Sequence, residues 1–255
     1  MMKNNRERNR DLLTVLISLS VSIFSITHPS DLIAATDKRF LLTYPNLENS
    51  EGVVVMENSH AVLQRLVVPA GKWEGVHSHP GHQLYVHIKG GEWAGRLGGE
   101  LEYENDYSAA GSVGWMDAIP ISAGHNSGNT GNTDIDLIYV TLKEDHPIRP
   151  DLSHSNQSYP NIALSVLLEN EFMIVQRGEL DPGQWTGVHD SPGYQILIQV
   201  KAGRRSERKN RTESIILENL EDGAASWLDA TEVGLAYEFG NTGDTLIDFV
   251  LITLK

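Results

Sequence analysis

Hydrophobic and polar residues alternate in short runs along most of the chain after residue 50. The run 83–88 is a clear example, because residues 84, 86 and 88 are aliphatic while Gln83, Tyr85 and His87 fill the positions between them. With a period of two, these sets face opposite sides of a strand. Glycine and proline separate the runs at intervals typical of antiparallel sandwiches and barrels. No long stretch of this region follows the 3.6-residue period, so we predict an all-β fold.

The sequence contains this pattern in two copies. Gly71-Lys-Trp-Glu-Gly-Val-His77 recurs as Gly183-Gln-Trp-Thr-Gly-Val-His189, and Gly128-Asn-Thr-Gly131 recurs as Gly240-Asn-Thr-Gly243. The offset is 112 residues in both cases. A period this long excludes a short solenoid repeat and indicates duplication of a domain.

The repeat defines the predicted domains. We expect an N-terminal barrel over 36–143 and a C-terminal barrel over 161–255. Residues 144–160 between them are rich in proline, serine and asparagine, which predicts a linker.

The first 35 residues have the order of a secretory signal. A basic start with Lys3 and Arg10 is followed by an uncharged run, Leu12 to Ile26, and this run is shorter than the ~20 apolar residues of a spanning helix. We therefore expect 1–35 to be a signal peptide and the protein to be exported, periplasmic or secreted, with no stable membrane span after cleavage. An uncleaved anchor or a buried helix is the alternative.

The amino-acid composition excludes several kinds of site and partner. The chain has no cysteine, which excludes disulfides, thiolate metal sites and thiol nucleophiles. Its formal net charge is −14, which argues against general nucleic-acid binding because phosphate contacts need Lys and Arg. A small molecule is the expected partner, and a homo-oligomer is compatible with the sequence.

Histidines concentrate in the N-terminal copy. His77 and His79 are two residues apart, so on a strand their rings share one face. Gln83 follows on the next strand, and His125 lies further along the chain. Imidazoles converging from neighbouring strands favour a transition-metal site.

The spacing resembles the cupin superfamily. Gly71, His77, His79, Gln83 and Gly90 fall in the frame of the first cupin motif, with glutamine where the family has glutamate. Gly114, Pro120, His125 and Asn129 fit the second motif, with Ser122 in place of its glycine. The resemblance covers both copies and implies two tandem jelly-roll barrels, a bicupin.

In the family, three histidines and the acidic residue bind a divalent metal inside the barrel. The resemblance therefore implies that His77, His79 and His125 are metal ligands, with Gln83 as the fourth. The alternative is His87 as the fourth ligand, with Gln83 bonded to a bound water. The metal is one divalent transition ion, with Fe, Mn, Ni, Zn and Cu left open. Because an amide cancels no charge, such a site would keep a formal charge of +2 and attract anionic, chelating ligands.

The C-terminal copy has lost most of this set. Ser191 stands where the first copy has His79, and Tyr237 where it has His125, so only His189 and Gln195 remain. We expect no transition metal there.

The sequence is compatible with two functions. The first is a metal-dependent enzyme on a small oxygenated substrate, of the dioxygenase, decarboxylase, lyase or isomerase class. Tyr85 and His87 face the interior and are the proton-transfer candidates. The alternative is a non-enzymatic, metal-dependent protein that binds or senses small molecules.

Export has a direct test. N-terminal sequencing of protein released by a native-like host should show that the chain starts after about residue 35, as for other cleaved signals. Soluble cytosolic protein that retains Met1 would contradict the prediction.

Overall fold

The computed structural model describes residues 37–143, 155–209, 213–216, 220–230 and 237–255. The predicted signal peptide lies outside these residues, and so does most of the predicted linker, so both stay predictions. Residues 37–255 belong to one compact unit. Among the described residues no helix is long and apolar enough to cross a membrane.

The fold is all-β, as predicted. The strands of the first copy are β1 (Val53–Glu57), β2 (Ala61–Val68), β3 (Gln83–Lys89), β4 (Gly91–Leu97), β5 (Glu100–Ser108), β6 (Val113–Met116), β7 (Asn126–Asn129) and β8 (Ile135–Leu142). Those of the second copy are β9 (Ser165–Glu169), β10 (Met173–Leu180), β11 (Gln195–Lys201), β12 (Arg205–Lys209), β13 (Glu213–Ile216), β14 (Ala225–Leu228), β15 (Tyr237–Asn241) and β16 (Ile247–Leu254).

Each copy is built from a five-stranded and a three-stranded antiparallel sheet. The first copy has the orders β1-β2-β8-β3-β6 and β5-β4-β7. The second copy repeats both orders with the equivalent strands, as β9-β10-β16-β11-β14 and β13-β12-β15. The sequence repeat is therefore also a repeat of topology.

The two five-stranded sheets pack against each other through their apolar faces. One buried cluster contains Leu84 and Val86 of β3 together with Ile196 and Ile198 of β11. A second cluster fills the interior of the first copy and a third fills the interior of the second. The aliphatic face of strand β3, predicted from its alternation, thus belongs to a core that both copies share.

The contacts across this shared core are reciprocal. The Trp115 ring of the first copy stacks on Phe172 of the second, with centroids 5.3 Å apart. The equivalent Trp227 of the second copy stacks on His60 of the first at 5.1 Å. Since His60 and Phe172 are themselves 112 residues apart, the same surface of each copy serves as the interface.

Since both copies depend on one core, we expect residues 37–255 to unfold in a single cooperative transition. Ile198→Ala should lower the free energy of unfolding by about 2–5 kcal/mol, the usual cost of truncating a buried aliphatic side chain. Val166→Ala is the control, because Val166 is 48% exposed on β9. Urea denaturation followed by tryptophan fluorescence and circular dichroism measures both, and two well-separated transitions would contradict the shared-core prediction.

Candidate metal centre

The three predicted histidine ligands come together inside the first copy. His77, His79 and His125 are buried, and each offers a ring nitrogen within 4.8 Å of the others. His77 and His79 lie outside the named strands, in a segment joined to its neighbours by backbone hydrogen bonds. His77 N–H donates to His125 O at 3.1 Å, and His79 N–H donates to Ile119 O at 2.9 Å. The expectation of a regular strand here was wrong, yet the rings still converge.

Hydrogen bonds fix the tautomer of His77 and His79. The Nδ1–H of His77 donates to the carbonyl oxygen of Gly75 at 2.8 Å, and the Nδ1–H of His79 donates to Oε1 of Gln83 at 2.8 Å. A neutral imidazole with its proton on Nδ1 carries a lone pair on Nε2. Both Nε2 atoms therefore point their lone pairs inward.

The two Nε2 atoms are 3.2 Å apart. Donor atoms that share a metal at about 2.1 Å lie about 3–3.5 Å from each other, so this spacing fits a metal between them. Two lone pairs facing each other repel unless a cation lies between them. The donor set thus fits a divalent transition metal.

Burial keeps these imidazoles neutral. Desolvation lowers the pKa of His77 to about 4 and the pKa of His79 to about 3, and it also lowers the pKa of His125. At neutral pH the rings are uncharged, which is the form that binds metal.

Gln83 makes a different contact from the one predicted. Its Oε1 is occupied by the Nδ1–H of His79, and its Nε2 donates to Oγ1 of Thr141 at 2.6 Å. In this arrangement Gln83 supports the tautomer of His79, and its predicted role as a direct ligand stays a prediction. The second copy preserves the same support, since Nε2 of Gln195 donates to Oγ1 of Thr253 at 3.0 Å.

His87 is also engaged at both ring nitrogens. Its Nε2 accepts from the indole N–H of Trp93 at 3.1 Å, and its Nδ1 lies 3.1 Å from Oγ of Ser112. Desolvation lowers the pKa of His87 to about 4. His87 is thus a neutral residue hydrogen-bonded to Trp93 and Ser112, and its predicted proton-transfer role stays a prediction.

Tyr85, the other proton-transfer candidate, borders the cavity next to the histidines. It makes no hydrogen bond to another described residue. Burial and, to a smaller extent, the charge of Asp106 raise its pKa, so its hydroxyl is protonated at neutral pH. Gly114 allows the phenol to lie where it does, because a Cβ there would come within 2.1 Å of the Tyr85 hydroxyl oxygen.

The cavity over the histidines has a volume of about 480 Å³, within the range of small-molecule sites. Its lining combines aromatic and apolar side chains such as Trp93 and Leu137 with polar ones from the ligand side, His79 and His125. A small organic molecule would have room above the metal position.

Glu74 was missed by the sequence analysis. It lies three residues before His77, borders the cavity and is only 1% exposed. Desolvation by burial raises its pKa to about 8. The comparison of the two copies could have revealed it, since Thr186 replaces it in the copy that has also lost two histidines.

The described residues of the second copy contain no equivalent cluster of metal-ligating side chains. Within the parts of the chain that the structure describes, His77, His79 and His125 are the one group of metal-binding side chains. His189 keeps the hydrogen bond from Nδ1 to a backbone carbonyl, that of Gly187, at 2.8 Å. The second copy therefore keeps the backbone contact that orients this histidine, although it lacks the equivalents of His79 and His125.

No protein-family model matches the sequence, and no curated protein matches it. Solved structures do share the fold. AerE from Microcystis aeruginosa superimposes with a TM-score of 0.58 at 13% identity, covering 85% of this chain and 99% of that one. An oxalate decarboxylase superimposes with a TM-score of 0.52 at 11% identity, covering 79% of this chain and 71% of that one.

A variant of salicylate 1,2-dioxygenase from Pseudoaminobacter salicylatoxidans gives a TM-score of 0.50 at 11% identity, with 87% and 78% covered. A cupin 2 conserved barrel domain protein from Leptotrichia buccalis is also among the similar structures, with a TM-score of 0.46 at 12% identity, covering 80% of this chain and 88% of that one. At these identities the likeness concerns the fold.

The support role of Gln83 can be tested by removing its oxygen. Gln83→Leu should weaken metal binding about 10–100-fold, the usual cost of losing a group that orients a ligand. Gln83→Glu should bind at least as tightly as the unchanged protein, because a carboxylate still accepts from His79. Titration against a competing chelator measures both affinities.

Gln195→Leu is the matched control, since it makes the same change in the second copy and should leave metal affinity unchanged. His87→Leu should also leave it nearly unchanged while lowering stability through the unpaired Trp93 N–H. Loss of metal in His87→Leu but not in Gln83→Leu would show that the ligand set has been misassigned.

Proposed function

We propose that this chain is a metal-dependent enzyme acting on a small oxygenated substrate in its N-terminal barrel, because it has the cupin fold in two copies. His77, His79 and His125 would hold one divalent transition metal. The observation that carries the proposal is the pair of inward-facing Nε2 lone pairs, 3.2 Å apart, beside a cavity large enough for a substrate.

A bound divalent metal would supply Lewis-acid or redox chemistry to an oxygen of the substrate. The protein would supply the rest. Tyr85 has a free, protonated hydroxyl on the cavity wall, so it would donate a hydrogen bond to a substrate oxygen. Trp93, held by His87, would pack against the apolar part of the substrate.

The charge at the site favours an anionic substrate. Burial keeps His77 and His79 neutral, so the histidines leave the charge of a divalent ion uncancelled. A carboxylate or enolate that chelates the ion would meet a positive centre in a partly desolvated cavity, where electrostatic attraction is strong.

We also propose export, which rests on the order of residues in 1–35.

The protein should bind about one divalent metal per chain, in the N-terminal barrel. Mass spectrometry of metal-reconstituted protein gives the stoichiometry. His125→Ala should lower affinity at least about 10-fold because it removes a ligand, whereas Tyr237→Ala, the same position in the second copy, should not. Two metals per chain, or none after reconstitution, would contradict the metal site.

Enzymatic function requires a second measurement. Metal-loaded protein should convert a member of a panel of small carboxylic acids and sugars. Turnover should be lost in His125→Ala and should fall in Tyr85→Phe without loss of metal. Binding of a panel member without any conversion would contradict the enzyme and favour a binding protein.

A further inference from the structure

A buried carboxylate lies beside the histidine cluster. Glu74 is 1% exposed, and its Oε2 is 3.6 Å from Nε2 of His77. Its other oxygen, Oε1, is buried and has no hydrogen-bond partner. A buried polar atom without a partner is uncommon in a folded protein and calls for a physical explanation.

The carboxylate is on the ligand side of His77. The atom it contacts is Nε2, the same atom that lies 3.2 Å from Nε2 of His79. The opposite nitrogen, Nδ1, is turned away toward the backbone at Gly75. Glu74 therefore approaches the atom whose lone pair faces the proposed metal.

Among the described residues, the ion-pair contact of Glu74 is with His77, and no lysine or arginine pairs with it. Without a cation near it, a buried carboxyl group is more stable protonated than ionised. A divalent metal at the histidines would provide that cation.

The two copies and the cupin motif agree with such a role. Position 83, where the family has glutamate, is a glutamine whose amide oxygen accepts from His79 and whose amide nitrogen donates to Thr141. A carboxylate is therefore missing from strand β3 but present at Glu74. In the second copy, which lacks two of the histidines, the equivalent residue is Thr186.

We propose that Glu74 is the fourth protein ligand of the metal, a role that rests on the metal site of the proposed function. The metal site then contains three neutral imidazoles and one carboxylate, and it carries a net charge of +1 with a divalent ion. The carboxylate expected on strand β3 is supplied instead from the segment that precedes His77. This replaces the charge of +2 expected from the sequence.

Glu74→Gln tests the role with the shape of the side chain preserved. Its affinity for Co²⁺, titrated against a competing chelator, should fall at least about 10-fold. The visible absorption bands of the Co²⁺-loaded protein should also shift, because the donor set has changed. Glu102→Gln is the matched control: Glu102 borders the same cavity but is exposed, so its loss should change neither quantity.

The outcomes separate the two proposals. If the unchanged protein binds no Co²⁺, the proposed metal function fails. If it binds Co²⁺ and Glu74→Gln matches it in affinity and spectrum, the ligand role of Glu74 is wrong while the metal site stands. Should Glu74→Gln fail to fold, Glu74→Thr introduces the residue that the second copy tolerates, and the same loss of affinity is expected.

Discussion

Strand β3 must satisfy two environments at once, and the rest of the structure depends on that constraint. One face, with Leu84 and Val86, is buried in the core shared by the two copies. The other face carries Gln83 and Tyr85 to the histidine cluster and its cavity. Because side chains alternate along a strand, a slip of one residue would exchange the two faces. The shared core thus fixes the direction of the polar side chains.

Much of the fold could be predicted from the sequence, because its determinants are local or repeated. Alternation indicated the strands, and the 112-residue offset indicated two copies with one topology. The meeting of His77 and His79 was expected from the period of a strand, but it occurs in a segment outside the named strands. The place of His125 beside them came from the resemblance to cupins, since no local pattern links residues so far apart.

The hydrogen-bond partners of Gln83 and His87 could not be predicted in the same way. Both were correctly expected to face inward, but an inward side chain binds whichever partner a neighbouring strand offers. Thr141, opposite Gln83 on strand β8, occupies the amide nitrogen, and Trp93 on strand β4 occupies His87. Those partners depend on which strands pair, and the alternation of residues within a single strand gives no information on pairing.

Glu74 was missed for a related reason. It precedes Gly75, which has a positive φ of 88°, so no strand period says which way its side chain points. The residues that differ at equivalent positions of the two copies, such as Glu74 and Thr186, were the sequence feature that could have indicated it. They also include the pair Tyr85 and Gly114, which become Leu197 and Ser226: once the phenol is gone, the position beneath it tolerates a Cβ.

The reciprocal interface has a consequence for the history of the chain. Contacts made by the same surface of both copies, as at Trp115 and Trp227, are what two identical subunits form around a twofold axis. A single-barrel ancestor with this apolar face would have needed a second molecule to cover it. Joining two such barrels in one chain would make that pairing independent of concentration, so one copy could lose two of the histidines while it still covers the apolar face of the other.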